Sequence, residues 1–406
     1  MEASRDFVFQ KFSEYYQDPS TVIPAPVLPA QREFAYLLFK ERFMVRHKSF
    51  AGIGGLRSVL SRTVPSDVYH SCAYYENPDF DMDKKGWLGA DLVFDIDADH
   101  IPTTCDKIHD EFTCTKCGFG GRGLTPEVCP VCGGTKFETK TWPCELCIDA
   151  ARVEAAKLID MLTNDFGFSA DELHVFFSGH RGYHVHVESE AVRSLDAMAR
   201  KEIVDYVTGL GLSVLEEFKE KRGKRGSKKF SLHNFGWNKR LKLGMQNFLL
   251  NATKEDLKKA GLRNFSILKN KEVAVTRGIV EGRWESINEV SSQTWLKLAE
   301  YVKDLQSAKI DTVVTTDVHR LIRMNGTLHG KTGLKKVEFP AEKLQDFDPF
   351  TGAVAFKKGK VKVLVSDVPE FKLGGETLGP FKNEAKELPV AAAVMLICKG
   401  RAKVTS

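Results

Sequence analysis

Residues 91–100 read DLVFDIDADH, an apolar run interrupted by acidic residues. In an extended strand, residues two apart share a face, so Asp95 and Asp97 project together while their apolar neighbours point into the protein. Two adjacent carboxylates repel each other unless a cation lies between them, and hard oxygen ligands suit Mg²⁺ or Mn²⁺. An acidic face on an edge strand is the alternative, but the apolar flanks favour a buried strand. The stretch therefore predicts a sheet strand that carries a divalent-metal site.

The composition is typical of a soluble globular protein. The chain has 406 residues, of which 42% are hydrophobic and 28% charged, and this length predicts two domains or one domain with large insertions. No signal sequence follows MEASRDF, and the apolar run 389–398 is too short to span a bilayer. We therefore expect no membrane association and a cytoplasmic location, or a nuclear one in a eukaryote. The net charge of +5 is small, so clusters of basic residues matter more than their total.

Cysteine spacing predicts metal binding rather than disulfides. Seven of the nine cysteines lie between residues 105 and 147. Two C-x-x-C motifs, at 114–117 and 129–132, have the spacing of a zinc ribbon, in which Cys114, Cys117, Cys129 and Cys132 form a tetrahedral site. Candidate ligands for a second zinc are Cys105, His109, Cys144 and Cys147. Residues 144–147 form a third C-x-x-C motif. Two alternatives stay open: all six cysteines of the three motifs serve one zinc in another combination, or Cys105 and His109 bind no metal. Either way, closed ligand sets predict structural sites.

A second chemical stretch covers residues 173–187, LHVFFSGHRGYHVHV. Two short apolar strands flank a turn that presents Ser178, His180 and Arg181, and His184 lies on the returning strand. Hydroxyl, imidazole and guanidinium groups can surround a phosphate when neighbouring glycines allow the backbone to approach closely. The stretch therefore predicts a phosphate-binding hairpin, in which we interpret His186 as a wall residue.

Residues 309–339 concentrate acidic, basic and glycine residues. Asp311 is the candidate third carboxylate of the metal site, and Asp317 is a competing candidate. The positive groups near a glycine-rich turn are Arg323, His329 and Lys331. Their concentration in one segment favours a site, although each residue alone has a surface interpretation.

Other segments carry weaker signals. Residues 1–17 predict a helix that packs on the domain, residues 32–50 predict a helix followed by a strand, and residues 148–166 have the period of an amphipathic helix. Residues 219–242 contain ten basic residues and one acidic residue. The aromatic residues interleaved with them, Phe230, Phe235 and Trp237 among them, favour contact with a nucleic-acid backbone and stacked bases, with a solvated loop as the alternative.

Together these motifs resemble those of a known family. DLVFDIDAD, SGHRGYH, an Asp followed by RLIR, and the TLHGKTGL turn occur in the order that is typical of the catalytic small subunit of the archaeal and eukaryotic DNA primase. REFAYLLF and VRHKSF near the N-terminus are similar too, so the resemblance spans roughly residues 30–340.

The resemblance implies roles for individual residues. The metal-binding carboxylates of the family match Asp95, Asp97 and Asp311. The positions that hold the nucleotide triphosphate match Ser178, Arg181, His184, Arg323 and His329. The family's zinc knuckle matches Cys105, His109, Cys144 and Cys147. The ribbon at 114–132 departs from the family pattern as an insertion, which leaves doubtful which cysteines share which zinc.

The resemblance also implies a fold and a function. The expected fold is α/β (α+β), with a mixed sheet that carries the acids and the phosphate-binding hairpin. The implied activity is template-directed synthesis of short RNA primers on single-stranded DNA from ribonucleoside triphosphates, with catalytic Mg²⁺ or Mn²⁺ and one or two structural Zn²⁺. The implied partner is the large primase subunit, in a heterodimer. The alternatives are a repair-type relative that extends primers with deoxynucleotides and a non-catalytic zinc-ribbon protein that binds nucleic acid.

We predict a catalytic domain interrupted by two insertions and followed by a tail without a chemical motif. In chain order the segments are 1–104 with the acidic strand, 105–147 as the zinc-binding insertion, 148–190 with the phosphate-binding hairpin, 191–245 as the helical and basic insertion, 246–345 as the C-terminal part of the catalytic domain, and 346–406 as the unassigned tail.

Overall fold

The structure, a computed structural model, divides into two compact units. It describes residues 2–41, 43–213, 235–262 and 292–405. The first unit comprises Met1–Ala156, Ser169–Lys201 and Ile310–Ser406, and the second comprises Lys157–Phe168 and Glu202–Lys309. All candidate metal and phosphate ligands lie in the first unit. Most of the basic segment 219–242 lies outside the described residues.

The described chain contains both helices and strands, in runs of several of one kind. The helices are α1 (Glu2–Gln17), α2 (Ile53–Thr63), α3 (Glu145–Asn164), α4 (Glu190–Arg193), α5 (Ala197–Thr208), α6 (Gly236–Asn251), α7 (Lys254–Lys259), α8 (Ser292–Gln306), α9 (Thr312–Thr316), α10 (Pro349–Gly352) and α11 (Val390–Cys398). Among the described helices, none combines the length and the apolar character needed to cross a membrane.

The strands are short, between three and seven residues each. They are β1 (Phe34–Leu38), β2 (Met44–Lys48), β3 (Pro65–Ser71), β4 (Ala73–Tyr75), β5 (Trp87–Ala90), β6 (Leu92–Asp97), β7 (Glu111–Cys114), β8 (Gly120–Arg122), β9 (Phe137–Lys140), β10 (Leu173–Phe177), β11 (Gly182–Val187), β12 (Leu321–Arg323), β13 (Val337–Phe339), β14 (Lys360–Val365), β15 (Phe371–Leu373), β16 (Glu376–Leu378), β17 (Glu384–Pro389) and β18 (Ala402–Val404).

Two four-stranded sheets carry the candidate site. Their strand orders are β12-β3-β1-β2 and β13-β10-β11-β6, and their strand pairs are antiparallel. Smaller sheets have the orders β8-β7-β9, β17-β14-β18, β4-β5 and β15-β16. The α/β fold class predicted from the sequence is confirmed, and the antiparallel pairing is a finer feature that the sequence did not specify.

The apolar core of the first unit joins the two ends of the chain. Val8, Phe12 and Tyr16 recur every four residues and are the buried apolar residues of α1. They belong to one cluster with Phe34 of β1 and Val394 of α11. Burying a phenylalanine such as Phe12 contributes about 1.5–3 kcal/mol relative to leaving it exposed. The tail segment, which the sequence left unassigned, therefore supplies part of this core.

The prediction of a helix at the start of residues 32–50 is wrong. Phe34–Leu38 forms β1, which pairs with β2 on one side and β3 on the other. Phe34, Ala35 and Tyr36 are consecutive buried residues, so both faces of this strand are covered. Such a continuous apolar run lacks the alternation of a half-exposed strand, and its period alone cannot separate a strand from a helix. The helices predicted at 1–17 and 148–166 are confirmed as α1 and α3.

The described part of the second unit is helical. Arg240 of α6 pairs with Asp160 of α3 and with Asp165, which directly follows α3, at 2.6 Å in each case. Trp237 is 7% exposed, and its indole N–H donates to the carbonyl of Tyr206 at 2.8 Å. Burial and this bond make Trp237 a core residue, which corrects its assignment to the base-stacking aromatic residues.

Candidate active site

Strand β6 carries two of the predicted metal ligands. It pairs with β11 so that Asp95 lies opposite His184 and Asp97 lies opposite Gly182. The apolar residues of β6 are buried, whereas Asp95 and Asp97 are partly exposed. The alternation of a strand therefore places both carboxylates on the accessible face.

Asp91 opens the same motif but has a structural role. It is 3% exposed, and its carboxylate accepts hydrogen bonds from Arg32 at 2.6 Å and from the hydroxyl of Tyr74 at 2.7 Å. A buried carboxylate with a guanidinium and a hydroxyl partner is satisfied. Asp91 therefore fixes the start of β6.

Asp311 approaches β6 from a distant part of the chain. Its backbone N–H donates to the carbonyl of Asp95 at 2.8 Å. Its side chain caps α9 by accepting from two backbone N–H groups of the first turn, at 3.0 and 3.4 Å. Asp317, the competing candidate, ends α9, and it accepts from the backbone N–H of His319 at 2.9 Å. The fold thus brings Asp311 beside Asp95.

The electrostatics of this acidic group favour a cation. Burial and the nearby charges of Asp97 and Asp311 raise the pKa of Asp95 to about 7, although Arg320 and Lys336 act in the opposite direction. A carboxyl group held so far above its usual pKa takes up a proton or a cation. The hard oxygen donors of the three acids fit Mg²⁺ or Mn²⁺.

The acids form an open arrangement. In the described residues, two groups of Cys and His side chains have ligand atoms that all lie within 4.8 Å of one another, and the three acids are not a further group of this kind. Repulsion between carboxylates accounts for their separation, since a cation is what draws such groups together. The roles of Asp95, Asp97 and Asp311 as metal ligands stay a prediction.

The turn at 178–181 joins β10 to β11 and packs against a second turn at 329–335. Gly179 has a φ of +88°, and a Cβ at this position would lie 3.1 Å from the Cβ of His329. The hydroxyl of Thr332 donates to the Gly179 carbonyl at 2.6 Å. Because glycine allows this conformation and this approach, the two predicted phosphate-binding segments lie against each other.

His180 connects this turn to the C-terminal tail. Its ring stacks on His329, with ring centroids 5.2 Å apart. Its Nε2 lies 2.7 Å from Nζ of Lys399 and 3.1 Å from Oγ1 of Thr141. Burial and the charge of Lys399 hold the pKa of His180 well below its usual value, so the ring is neutral and Nε2 accepts from Lys399. Sequence reasoning missed Lys399 because no motif surrounds it.

Asp67 anchors two predicted phosphate ligands. Arg323 Nη1 donates to Asp67 Oδ1 at 2.6 Å, and the guanidinium lies 5.2 Å from the centre of the Tyr69 ring. The N–H of Gly330 donates to the same oxygen at 3.1 Å, and His329 Nδ1 lies 3.8 Å away. Burial acts to raise the pKa of Asp67, but Arg323 and His329 hold it well below its usual value. Sequence reasoning missed this residue too, because Asp67 has no ligand spacing around it.

His184 and His186 lie side by side on β11. His184 Nε2 is 3.6 Å from Asp95 Oδ1, and its buried Nδ1 has no hydrogen-bond partner among the described residues. His186 Nε2 is 3.4 Å from Nζ of Lys336, which donates to the carbonyl of Arg323 at 2.8 Å. Buried polar atoms are ordinarily paired. The free nitrogen of His184 therefore fits a site that receives a further polar group.

The predicted zinc knuckle is assembled in the structure. The ligand atoms of Cys105, His109, Cys144 and Cys147 all lie within 4.8 Å of one another, and this group could hold a zinc ion. Nδ1 of His109 donates to Asp110 at 2.8 Å, and Nε2 lies 3.3 Å from the sulfur of Cys105. A carboxylate on the outer ring nitrogen orients a histidine ligand toward its metal. The sequence did contain a signal for Asp110, because it is an acidic residue that directly follows His109, a predicted zinc ligand.

Arg181 faces this knuckle. It is 1% exposed, and its guanidinium pairs with Asp99 and with Asp110, at 2.8 Å from Asp110 Oδ2. Its observed partners are therefore carboxylates on the knuckle side of the hairpin. The predicted contact of Arg181 with a nucleotide stays a prediction.

The ribbon forms a second closed group. The ligand atoms of Cys114, Cys117, Cys129 and Cys132 all lie within 4.8 Å of one another, beside the β8-β7-β9 sheet. Each C-x-x-C turn is closed by a backbone bond of 2.9 Å, from Gly118 to Cys114 and from Gly133 to Cys129. Two separate sets of four ligands agree with two zinc sites, not with the alternatives in which six cysteines share one zinc or Cys105 and His109 stand apart.

Comparison with known proteins indicates the family of this chain. The family model described as DNA primase small subunit matches residues 136–340. The DNA primase small subunit PriS of Methanococcoides burtonii is 34% identical, covering 98% of this chain and 97% of the relative. PriS of Cenarchaeum symbiosum is also 34% identical, with 97% and 96% covered. PriS of Nitrosopumilus maritimus is 31% identical, with 99% of each chain covered.

The family of these relatives implies an enzyme of the nucleotidyltransferase type. Full-length similarity to the archaeal proteins makes the assignment more specific: the chain belongs to the DNA primase small subunit family. The family resemblance predicted from the sequence motifs is thereby confirmed.

Proposed function

We propose that this chain is the catalytic subunit of a DNA primase, which synthesises short RNA primers on single-stranded DNA for replication. The relatives at 31–34% identity are named as the small subunit of that enzyme. The observation that carries the proposal is the convergence of Asp311 on the acidic strand, where the pKa of Asp95 is raised to about 7. Such a group of acids is suited to holding the catalytic cations of phosphoryl chemistry.

In the proposed reaction, a 3′ hydroxyl attacks the α-phosphate of a ribonucleoside triphosphate. The new O–P bond replaces the bond between the α-phosphate and pyrophosphate, which leaves. Bound divalent cations lower the pKa of the attacking hydroxyl and stabilise the leaving pyrophosphate. The proposed role of Asp95, Asp97 and Asp311 is to hold these cations.

The facing wall is proposed to bind the phosphates. The residues assigned to it are Ser178, His180, Arg181, His184, Arg323, His329 and Lys331. Glycines in both turns let backbone N–H groups approach, and the basic side chains neutralise charge that develops on the β- and γ-phosphates. Asp67 fixes Arg323 and His329 in this wall through its hydrogen bond and its charge.

The predicted segments are retained as part of this proposal. The catalytic domain comprises 1–104, 148–190 and 246–345, with insertions at 105–147 and 191–245. The zinc sites are proposed to be structural, because each has four protein ligands and no open position. The proposed partners are the large primase subunit, the single-stranded template and the RNA primer.

The test is incorporation of labelled ribonucleotides on a single-stranded template without a primer, in Mg²⁺ or Mn²⁺. Three variants are compared with the wild type: Asp95→Ala with Asp97→Ala, Asp311→Ala, and Asp317→Ala as the matched control on the same short helix. We expect product from the wild type and from Asp317→Ala, and none from the other two. Zinc content of each preparation shows that the structural sites are intact.

Other outcomes would replace the proposal. Extension that requires a supplied primer and prefers deoxynucleotides would indicate the repair-type relative. Template binding without any metal-dependent incorporation would indicate the non-catalytic binding protein. Full activity of the double Asp variant would contradict the assigned site.

A further inference from the structure

Lys399 is a buried cation at the end of α11. It is 8% exposed, and its ammonium group lies 2.7 Å from Nε2 of His180. In the described part of the chain, no carboxylate lies within 4.0 Å of its Nζ. The one polar side chain that it contacts there is therefore a neutral histidine.

Some other buried cations of this unit have anionic partners, and others, such as Lys336 and Arg200, donate to backbone carbonyl oxygens. Arg32 pairs with Asp91 at 2.6 Å, and Lys85 pairs with Glu33 at 2.8 Å. A buried charge without such a partner is unfavourable, because it has lost its hydration without receiving an opposite charge. Burial and the nearby Arg181 and Lys331 lower the pKa of Lys399 to about 7, although Cys398 and the more distant charge of Asp110 act in the opposite direction. The position of Lys399 is thus electrostatically incomplete.

The surroundings of Lys399 indicate what would complete it. His180 stacks on His329, and the N–H of Lys331 donates to Nδ1 of His329 at 3.1 Å. Lys399 therefore extends a row of basic side chains that begins on the 329–335 turn and passes through the 178–181 turn. A ligand that satisfies several such groups at once carries several negative charges at short spacing, as a triphosphate does.

We propose that Lys399, supplied by the C-terminal tail, binds the terminal phosphates of the incoming nucleoside triphosphate together with His180. This inference rests on the proposed function, because it adds a residue to the same phosphate-binding wall. In the absence of nucleotide the ammonium group donates to His180 Nε2. When a triphosphate is bound, the same group supplies the opposite charge that the phosphates require.

The test is equilibrium binding of labelled ATP and labelled AMP to the full chain in Mg²⁺, which does not depend on incorporation. Lys399→Met and Lys399→Gln remove the charge, Lys399→Arg retains it, and Lys403→Met replaces an exposed lysine of the same tail as the control. We expect both neutral variants to bind ATP about 10- to 100-fold more weakly and AMP unchanged, since charge-assisted hydrogen bonds are lost only with the terminal phosphates. Lys399→Arg should stay within a few-fold of the wild type, and Lys403→Met should match it.

The outcomes separate the two proposals. Unchanged ATP binding by both neutral variants, or an equal loss of ATP and AMP, would overturn the role of Lys399 while leaving the proposed function intact. Equal affinities of the wild-type chain for AMP and ATP would also overturn the role of Lys399. If the wild type binds no nucleotide at all, the proposed function itself fails. Inorganic tripolyphosphate should displace ATP from the wild type, and this competition tests the site even if a neutral variant does not fold.

Discussion

Asp110 binds Arg181 through both of its carboxylate oxygens, which lie 3.0 and 2.8 Å from the same Nη1 atom. The oxygen at 3.0 Å also accepts from His109 Nδ1 and from the backbone N–H of Trp142, each at 2.8 Å. Asp110 is buried. A single carboxylate therefore links a predicted zinc ligand to the phosphate-binding hairpin, and the metal state of the knuckle is expected to affect nucleotide binding.

Replacing this carboxylate should disturb both sites. We expect the Asp110→Asn variant to release zinc to a chelator faster. A carboxylate that accepts from the outer ring nitrogen of a metal-bound histidine contributes about 10- to 100-fold to metal affinity. We also expect a lower melting temperature, since the buried Arg181 loses one of its two described carboxylate partners and keeps Asp99. Zinc release, thermal unfolding and ATP binding are the measurements. Asp149→Asn, an exposed acid on α3, is the control, and wild-type behaviour of Asp110→Asn in all three would contradict the link.

The two zinc-type groups should differ in their effect on the active site. Cys114→Ser should remove the ribbon zinc and lower stability, while ATP binding persists in the folded fraction. Cys147→Ser should remove the knuckle zinc and weaken ATP binding as well, because His109 and Asp110 then lose their fixed positions. Zinc stoichiometry and ATP affinity on the same samples test this contrast. Equal effects of the two variants on ATP affinity would refute it.

Asp95 should make the metal-free active site less stable as pH rises. Its pKa is about 7 in the folded protein against a model-compound value of 3.8, so the folded state binds more protons than the unfolded state between these values, and stability falls across this window. Asp95→Asn removes this loss. Without added Mg²⁺ or Mn²⁺, the variant should gain about 4 kcal/mol relative to wild type near pH 8 and little near pH 4.

Denaturant unfolding at several pH values measures this gain. Asp317→Asn should leave the pH dependence of stability as it is in the wild type. A gain for Asp95→Asn that is the same at all pH values would show that its carboxyl group is not the cause.

Asp67→Asn should weaken the proposed phosphate-binding wall, because it changes the carboxylate that holds Arg323 in position. The change removes the charge that pairs with Arg323, and breaking a buried ion pair costs about 3–5 kcal/mol. We expect a lower melting temperature and weaker ATP binding with the template affinity retained. The stability that this carboxylate contributes is present above its unfolded pKa and is lost as pH falls, because its folded pKa is lowered. An unchanged ATP affinity would show that Arg323 and His329 do not need this anchor.

Local patterns predicted the parts of the site that lie within one element. The alternation of β6 placed Asp95 and Asp97 on one face, and the C-x-x-C spacings located both zinc-type groups, because strand pleating and cysteine knuckles are set by neighbours in sequence. The hairpin at 173–187 followed from two apolar strands around glycines. The α/β class was implied by the resemblance of the motifs to a known family.

Long-range partners were not predictable in this way. Asp67 and Lys399 contact the site through pairings between β3, the 329–335 turn and α11 that no local spacing encodes. The helix expected at the start of residues 32–50 failed for a related reason, since burial of β1 on both faces removed its alternation. The motif located Arg181 on the hairpin. Its carboxylate partners, Asp99 and Asp110, depend on how the knuckle packs against the hairpin, which the motif does not encode.

The hydrogen bond from the Asp311 N–H to the Asp95 carbonyl joins main chain to main chain. Because this contact uses no side-chain atom, it does not depend on the surrounding side chains or on the number of residues between Asp95 and Asp311. The segments between the two residues can change in length without altering this contact between Asp311 and Asp95. The alignment with the Methanococcoides burtonii relative extends over 421 positions against the 406 residues of this chain, so that lineage accommodates added residues. A contact fixed by the backbone therefore tolerates differences in chain length within the family.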